Sequence, residues 1–147
     1  SRKRLVVLAS GPGESLPPFP QPTHGTDLLP LVTILDAISG LPSTAPDHDL
    51  ERAARPFHRP PYNPHRLAKT LTCSGGDNFH PSGTRTFTLR ESACLQTFPL
   101  QHTFCSPGVM KQIGNAVPPV LAKAIFGEVV KSLRKTDATQ TDAVVID

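Results

Sequence analysis

Pro118 and Pro119 stand side by side in "KQIGNAVPPVLAKAIF" (Lys111–Phe126), directly ahead of a helical pattern. Few features restrict a chain as strongly. Each ring fixes φ and removes a backbone donor, so the pair cannot lie inside a helix or a central strand. It can open a helix, because the first N–H groups there have no intrahelical partner. Behind it, Val120, Leu121, Ala124, Ile125 and Val129 recur at helical spacing. The segment therefore predicts a glycine turn at Gly114, Asn115 at a helix entrance, and a buried helix over about Pro118–Leu133. Lys131, Arg134 and Lys135 fall near its negative end. Backbone N–H groups at such an entrance suit a ligand.

The rest of the chain is irregular. Proline makes up 17 of 147 residues, about twice ordinary usage, and there is no Trp. "LVVLA" (Leu5–Ala9) predicts a short strand buried in a parallel sheet. After a proline-rich loop over 12–25, a helix is predicted over about Leu28–Ser39. Thr26 or Asp27 caps it, Pro30 sits in its first turn, Gly40 takes the left-handed position after it, and Pro42 stops it. Residues 43–68 carry five prolines and no periodicity, and predict a long connection that is functional or disordered. A short strand over Thr70–Cys73 and a glycine loop follow. Thr88 and Glu91 have the spacing of a capping box, which predicts a helix over about Leu89–Thr97 ending before Pro99. The last residues, 136–147, read as a flexible tail.

Bulk properties narrow the function classes only a little. The net charge of +3 is compatible with nucleic acid without requiring it. Cys73, Cys94 and Cys105 form no C-x-x-C pair, so neither a disulfide framework nor a zinc site is expected, and no other spacing supports a metal. A reducing intracellular compartment fits three unpaired cysteines. No apolar run approaches the length of a membrane span, and the five-residue run near Ser1 is too short for a signal peptide.

Two segments in order, "RTFTLRESACLQTFP" (Arg85–Pro99) and "KQIGNAVPP" (Lys111–Pro119), resemble the ninth and tenth motifs of the DNA (cytosine-5)-methyltransferase family. "KTLTCSGG" is similar to the end of that family's target-recognition region, and "SRKRLVVLAS" to its eighth motif. The short variable region and the "HPSG" lead-in are most similar to the filamentous-fungal branch. The resemblance covers about two-thirds of the chain. It implies an α/β fold class: the C-terminal fragment of a doubly wound SAM-dependent methyltransferase fold with a small target-recognition region. The implied divisions are 1–42 (end of the catalytic domain), 43–84 (shortened recognition region), 85–135 (the two motif helices) and 136–147 (tail). The family's nucleophilic cysteine in Pro-Cys, its Glu-Asn-Val acid and its glycine-rich cofactor loop do not occur in these 147 residues. A truncated, inactive polypeptide is the corresponding expectation, with the remainder of the catalytic domain as a partner.

The chemistry implied by the resemblance is methyl transfer from S-adenosylmethionine to C5 of a cytosine flipped out of double-stranded DNA. A thiolate adds at C6, and hydrogen bonds donated to the base's O2 and N3 edge lower the barrier by stabilising the negative charge that develops there. Arg4 corresponds to the eighth-motif arginine at O2, and Arg2 to its supporting neighbour; composition alone favours a solvated basic strand entrance for "SRKR", and the resemblance reverses that for Arg4. Asn115, Ala116 and Val117 correspond to the turn near the cofactor, where an ordinary helix cap is the alternative. Thr70, Thr72, Gly75 and Gly76 correspond to loops that approach DNA, where a plain hairpin turn is the alternative. Arg90 and Glu91 read as structural. A nuclear location follows from the family role. A non-catalytic DNA- or partner-binding remnant and a tRNA-directed cytosine methyltransferase are the competing readings.

Overall fold

The computed structural model describes residues 5–54, 58–74, 78–105 and 107–142, with side chains to 138. Helices form where a cap and an apolar stripe coincide. α1 (Ile34–Ile38) begins at Thr33, whose hydroxyl accepts from Asp36 N–H while the Asp36 carboxylate accepts from Thr33 N–H. The helix expected over Leu28–Ser39 is therefore shorter, and its cap is neither Thr26 nor Asp27. Asp27 takes a left-handed φ of 61°, and Pro30 disfavours helical geometry at the residue before it. Ile34 and Ile38 are buried, whereas Leu28, Leu29, Leu31 and Val32 are exposed. Gly40 does not adopt positive φ; the helix closes at Ser39, whose N–H donates to Leu35 O.

α2 (Leu50–Ala53) is a single turn inside the stretch expected to lack structure, capped by the Asp49 carboxylate at 2.8 Å from Arg52 N. α3 (Leu89–Leu95) carries the capping box that the Thr88–Glu91 spacing predicts. It ends two residues earlier than expected because Thr97 turns left-handed, with φ of 67°. α4 (Val109–Asn115) is a further departure: Gly114 and Asn115 lie inside a helix, not in an open turn, and Asn115 is its last residue rather than the cap of the next. α5 (Pro119–Asp142) has Pro119 at its first position, as the proline pair requires. It runs well past Leu133, so Lys131, Arg134 and Lys135 sit away from the terminal carbonyls.

No strand forms among the described residues; two isolated bridges, His24–Leu29 and Phe79–Thr86, are the only β pairings there. The strands expected at Leu5–Ala9 and Thr70–Cys73 are both absent. A strand buried in a parallel sheet needs neighbours on either side, and Leu5 and Val7 are instead 89% and 74% exposed. At 70–73 the backbone is occupied otherwise: Asn78 Nδ2 donates to Thr70 O at 2.9 Å, and Leu71 is drawn into the core.

That core is built from Leu71, Ala93 and Ile113, with Leu95, Phe98, Phe104 and Val109 packed against them. Burying Leu71 and Ile113 contributes roughly 1.5–3 kcal/mol each. α3 is the hub, packed against both α1 and α4, while among the described residues α5 packs on no other helix. Among the described residues no single helix is long and apolar enough to cross a membrane; α4 and α5 meet that test only as a pair bent by 45°.

Candidate functional site

α3 supplies the rigid frame. Arg85 donates from Nη1 and Nη2 to the two Glu91 carboxylate oxygens at 2.7 Å each, and Thr88 N–H donates to the same carboxylate at 2.8 Å. Burial pushes the Glu91 carboxyl up, but the Arg85 and Thr88 bonds and the Arg85 charge outweigh it, and its pKa lies below the usual value. Arg90 is fully buried. Its guanidinium donates to Pro46 O at 2.7 Å, to His102 O at 2.8 Å and to the Asp47 carboxylate at 3.2 Å, with Phe104 beneath it at 5.6 Å. The structural roles expected of Arg90 and Glu91 are thus the ones observed.

The end of this frame grips the turn between α4 and α5. Gln96 Nε2 donates to Ala116 O at 2.9 Å, and Thr97 Oγ1 accepts from Val120 N–H at 3.2 Å. Val120 is in the first turn of α5, so Thr97 satisfies a donor with no intrahelical partner. The left-handed backbone at Thr97 brings its hydroxyl to that point. The two motif segments therefore meet in space, at the stretch where Ala116, Val117 and the proline pair join the helices. Sequence reasoning passed over Gln96 and Thr97; the signal was their place in "CLQTFP", read there only as a helix end.

The other wall comes from the 70–74 loop. Gly114 packs so closely on it that a Cβ would lie 2.7 Å from Cys73 N and 2.8 Å from Thr72 C. Only glycine permits this approach. One residue on, Asn115 Oδ1 accepts from Cys73 Sγ at 2.9 Å. Thr70 and Thr72 flank buried Leu71 and both are exposed. Thus Thr72 and Asn115 are brought together through Cys73 and Gly114, with Thr70, Ala116 and Val117 close to them along the chain. Arg2, Arg4, Gly75 and Gly76 lie outside the described residues.

What this surface offers a cofactor is one wall. The Ala116 N–H is already given to Gln112 O, and its carbonyl is taken by Gln96. Asn115 is exposed, with its oxygen engaged by Cys73 and its NH2 group donating to nothing among the described residues. Val117, 49% exposed, adds an apolar surface beside it. Among the described residues, no three His, Cys, Asp or Glu side chains come together as a metal site.

Comparison with known proteins converges on the same region. Residues 46–131, which contain α2, α3, α4 and the first half of α5, match the model of C-5 cytosine-specific DNA methylases. The chain is 44% identical over 72 residues to the putative type II methyltransferase M.OihORF3336P of Oceanobacillus iheyensis, covering 48% of this chain and 16% of that protein. It is 39% identical over 85 residues to the type II methyltransferase M.AquIB of Picosynechococcus, covering 48% of this chain and 61% of that protein. It is 31% identical over 134 residues to the type II methyltransferase M1.HphI of Haemophilus parahaemolyticus, covering 81% of this chain and 36% of that protein. The chain thus corresponds to 16%, 61% and 36% of the length of these three relatives. No solved structure matches it.

Proposed function

Because the chain belongs to the C-5 cytosine-specific DNA methylase family, we propose that it is the closing part of a DNA cytosine-5 methyltransferase. It completes the cofactor and recognition walls for a catalytic region that carries the Pro-Cys nucleophile, the Glu-Asn-Val acid and the glycine-rich loop. The observation that carries this reading is the grip of Gln96 and Thr97 on the Ala116–Val120 junction. It joins the two segments that resemble the family into one rigid unit. S-adenosylmethionine, when bound, supplies the methyl group. Asn115 offers it an amide donor, Val117 an apolar contact, and Cys73 fixes the Asn115 rotamer through its oxygen.

In the complete protein the doubly wound α/β sheet comes from that catalytic region, and the apolar surfaces of this chain are where it docks. Leu5 and Val7 would join the sheet, while Val120, Phe126 and Leu133 on α5 would be covered. Arg4 and Arg2 then support the flipped cytosine, and Thr70, Thr72, Gly75 and Gly76 face double-stranded DNA. Apart from that catalytic region this chain is inactive. A nuclear setting goes with the fungal placement and not with DNA as the substrate. Placement in the filamentous-fungal branch rests on "HPSG" and the short variable region alone; the relatives named above are bacterial.

The native reading frame upstream of Ser1 tests the proposal. Continuation through the three missing motifs is the expected result; a start codon just ahead of Ser1 leaves a binding remnant and ends the enzyme reading. In the complete enzyme, Asn115→Ala should raise the KM for S-adenosylmethionine about three- to tenfold, the loss of one hydrogen bond, with kcat little changed. An unchanged KM removes Asn115 from the cofactor wall.

A further inference from the structure

The stretch "SLPPFPQP" over residues 15–22 belongs to no helix or strand and takes no part in the surfaces described above. From Leu16 to Pro22 every residue is a proline or stands directly before one. A proline fixes its own φ, and its ring keeps the preceding residue out of helical geometry. The run is therefore confined to extended or polyproline II backbone. Among the described residues the backbone of 15–22 enters no hydrogen bond, and a polyproline II helix has none of its own. Both ends are tied down instead. Ahead of the run, Glu14 N–H donates to Gly11 O and Gly11 N–H to the Glu14 carboxylate, each at 3.1 Å. Behind it, Leu29 N–H donates to Thr23 O at 3.2 Å and Gly25 N–H to Leu29 O at 3.1 Å.

Exposure along the run repeats at every third residue. Pro17 and Pro20 are half-buried, whereas Leu16, Phe19 and Pro22 are exposed, and so are Ser15, Pro18 and Gln21. A polyproline II helix has about three residues per turn, so these sets lie along three separate edges. The Pro17–Pro20 edge faces the body: Pro17 lines a cavity of about 140 Å³ with Val129, Ser132 and Leu133 of α5. The Leu16–Phe19–Pro22 edge faces away from it, with Leu16 59% and Phe19 53% exposed. Four prolines within residues 16–22 cannot donate to a ladder, so a sheet is not the occupant of this edge. A run already stiffened by its prolines loses little conformational freedom when a groove closes on it.

We propose that residues 15–22 are a docking strip for a separate protein domain whose aromatic-lined, uncharged groove seats a polyproline II helix, with Leu16, Phe19 and Pro22 as the inserted edge. Grooves of this kind take proline-rich segments because the extended helix is formed before binding. The groove is an uncharged one because the chain has no Lys or Arg from Leu5 to Glu51, so an acidic rim would find no cation to pair with. The strip also lies outside residues 46–131, the part that matches the methylase family. The inference does not rest on the methyltransferase reading; it gives the protein a tether to a second protein, apart from any chemistry.

The test is calorimetric titration of the complete protein containing this chain with three isolated polyproline-reading domains, an SH3, a WW and an EVH1 domain. Saturable binding to at least one is expected, with an affinity that added salt leaves unchanged because no ion pair forms. Leu16→Ala and Phe19→Ala should each weaken that binding about tenfold or more. Pro18→Gly keeps both apolar side chains but frees the backbone, and should weaken it too. All three variants should melt as the parent does. Absence of saturable binding to every one of the three domains overturns the proposal, as does an affinity that salt abolishes. Undiminished binding by Pro18→Gly would mark a plain apolar patch and overturn it as well. A lowered melting temperature in Phe19→Ala would place the strip against the protein's own catalytic region, with the same consequence.

Discussion

At the scale of the residue, Glu91 and His80 share one electrostatic cluster around Arg85. Burial raises the Glu91 pKa, yet the Arg85 and Thr88 bonds bring it below its ordinary 4.5. For His80, burial lowers the pKa from 6.5 and the Arg85 charge lowers it further, with Glu91 opposing. Both shifts have the same sign for stability. A depressed folded pKa means that the unfolded chain binds protons more readily, so the contribution is present above the unfolded value and lost as pH falls. Stability should therefore decline below 6.5 as His80 protonates, and again below 4.5 as Glu91 does. Arg85→Met leaves a buried carboxylate without its cation and should cost about 3–5 kcal/mol at neutral pH. Thermal melts across pH check both statements: in Arg85→Met the acid step at Glu91 should shrink, and an undiminished step would show that Arg85 is not its cause. The capping box was legible because its partners lie three residues apart. The Arg85–Glu91 pair spans a bend that no local rule describes.

At the scale of the element, legibility followed how far each signal reached along the chain. Pro119 at a helix start could be read from the ring alone, and α3 from Thr88 and Glu91. α4 could not: its cap residue, Gly108, has no side chain to announce it, and Gly114 and Asn115 look like turn residues. Gly114 is glycine for packing, against a loop some forty residues earlier in the chain. The apolar run at 28–32 was misread as helix: Leu28, Leu29, Leu31 and Val32 stay exposed, and the helix begins only at Ile34, behind the Thr33 cap. Likewise, the resemblance assigned Thr72 and Asn115 to separate loops, and nothing in the sequence announced that Cys73 and Gly114 join them. Gly114→Ala should force the Thr72–Cys73 backbone away, costing about 1–3 kcal/mol, and detach Asn115 from Cys73. In the complete enzyme the loss should appear as a raised KM for S-adenosylmethionine. A variant with parental stability and KM would show that the close approach is not needed.

At the scale of the whole molecule, the core is small for 147 residues, and apolar surface is left open on both the N-terminal segment and α5. Val120, Phe126 and Leu133 are 63%, 66% and 52% exposed, and among the described residues α5 leans on no other helix. The chain by itself should therefore melt over a broad range and bind a hydrophobic dye before melting; a sharp two-state transition without dye binding would contradict this. Addition of the catalytic region should sharpen the transition. Within the α3 unit, the buried Arg90 sets a different kind of limit. It is met chiefly by backbone carbonyls, those of Pro46, Pro99 and His102, with a single carboxylate from Asp47. A carbonyl is supplied by every amino acid, so evolution is free to rewrite the side chains at most of these positions. It is not free to change the number of residues between them. Relatives should accordingly vary in spelling around this knot but keep its spacing, and insertions should collect elsewhere, in the open connections.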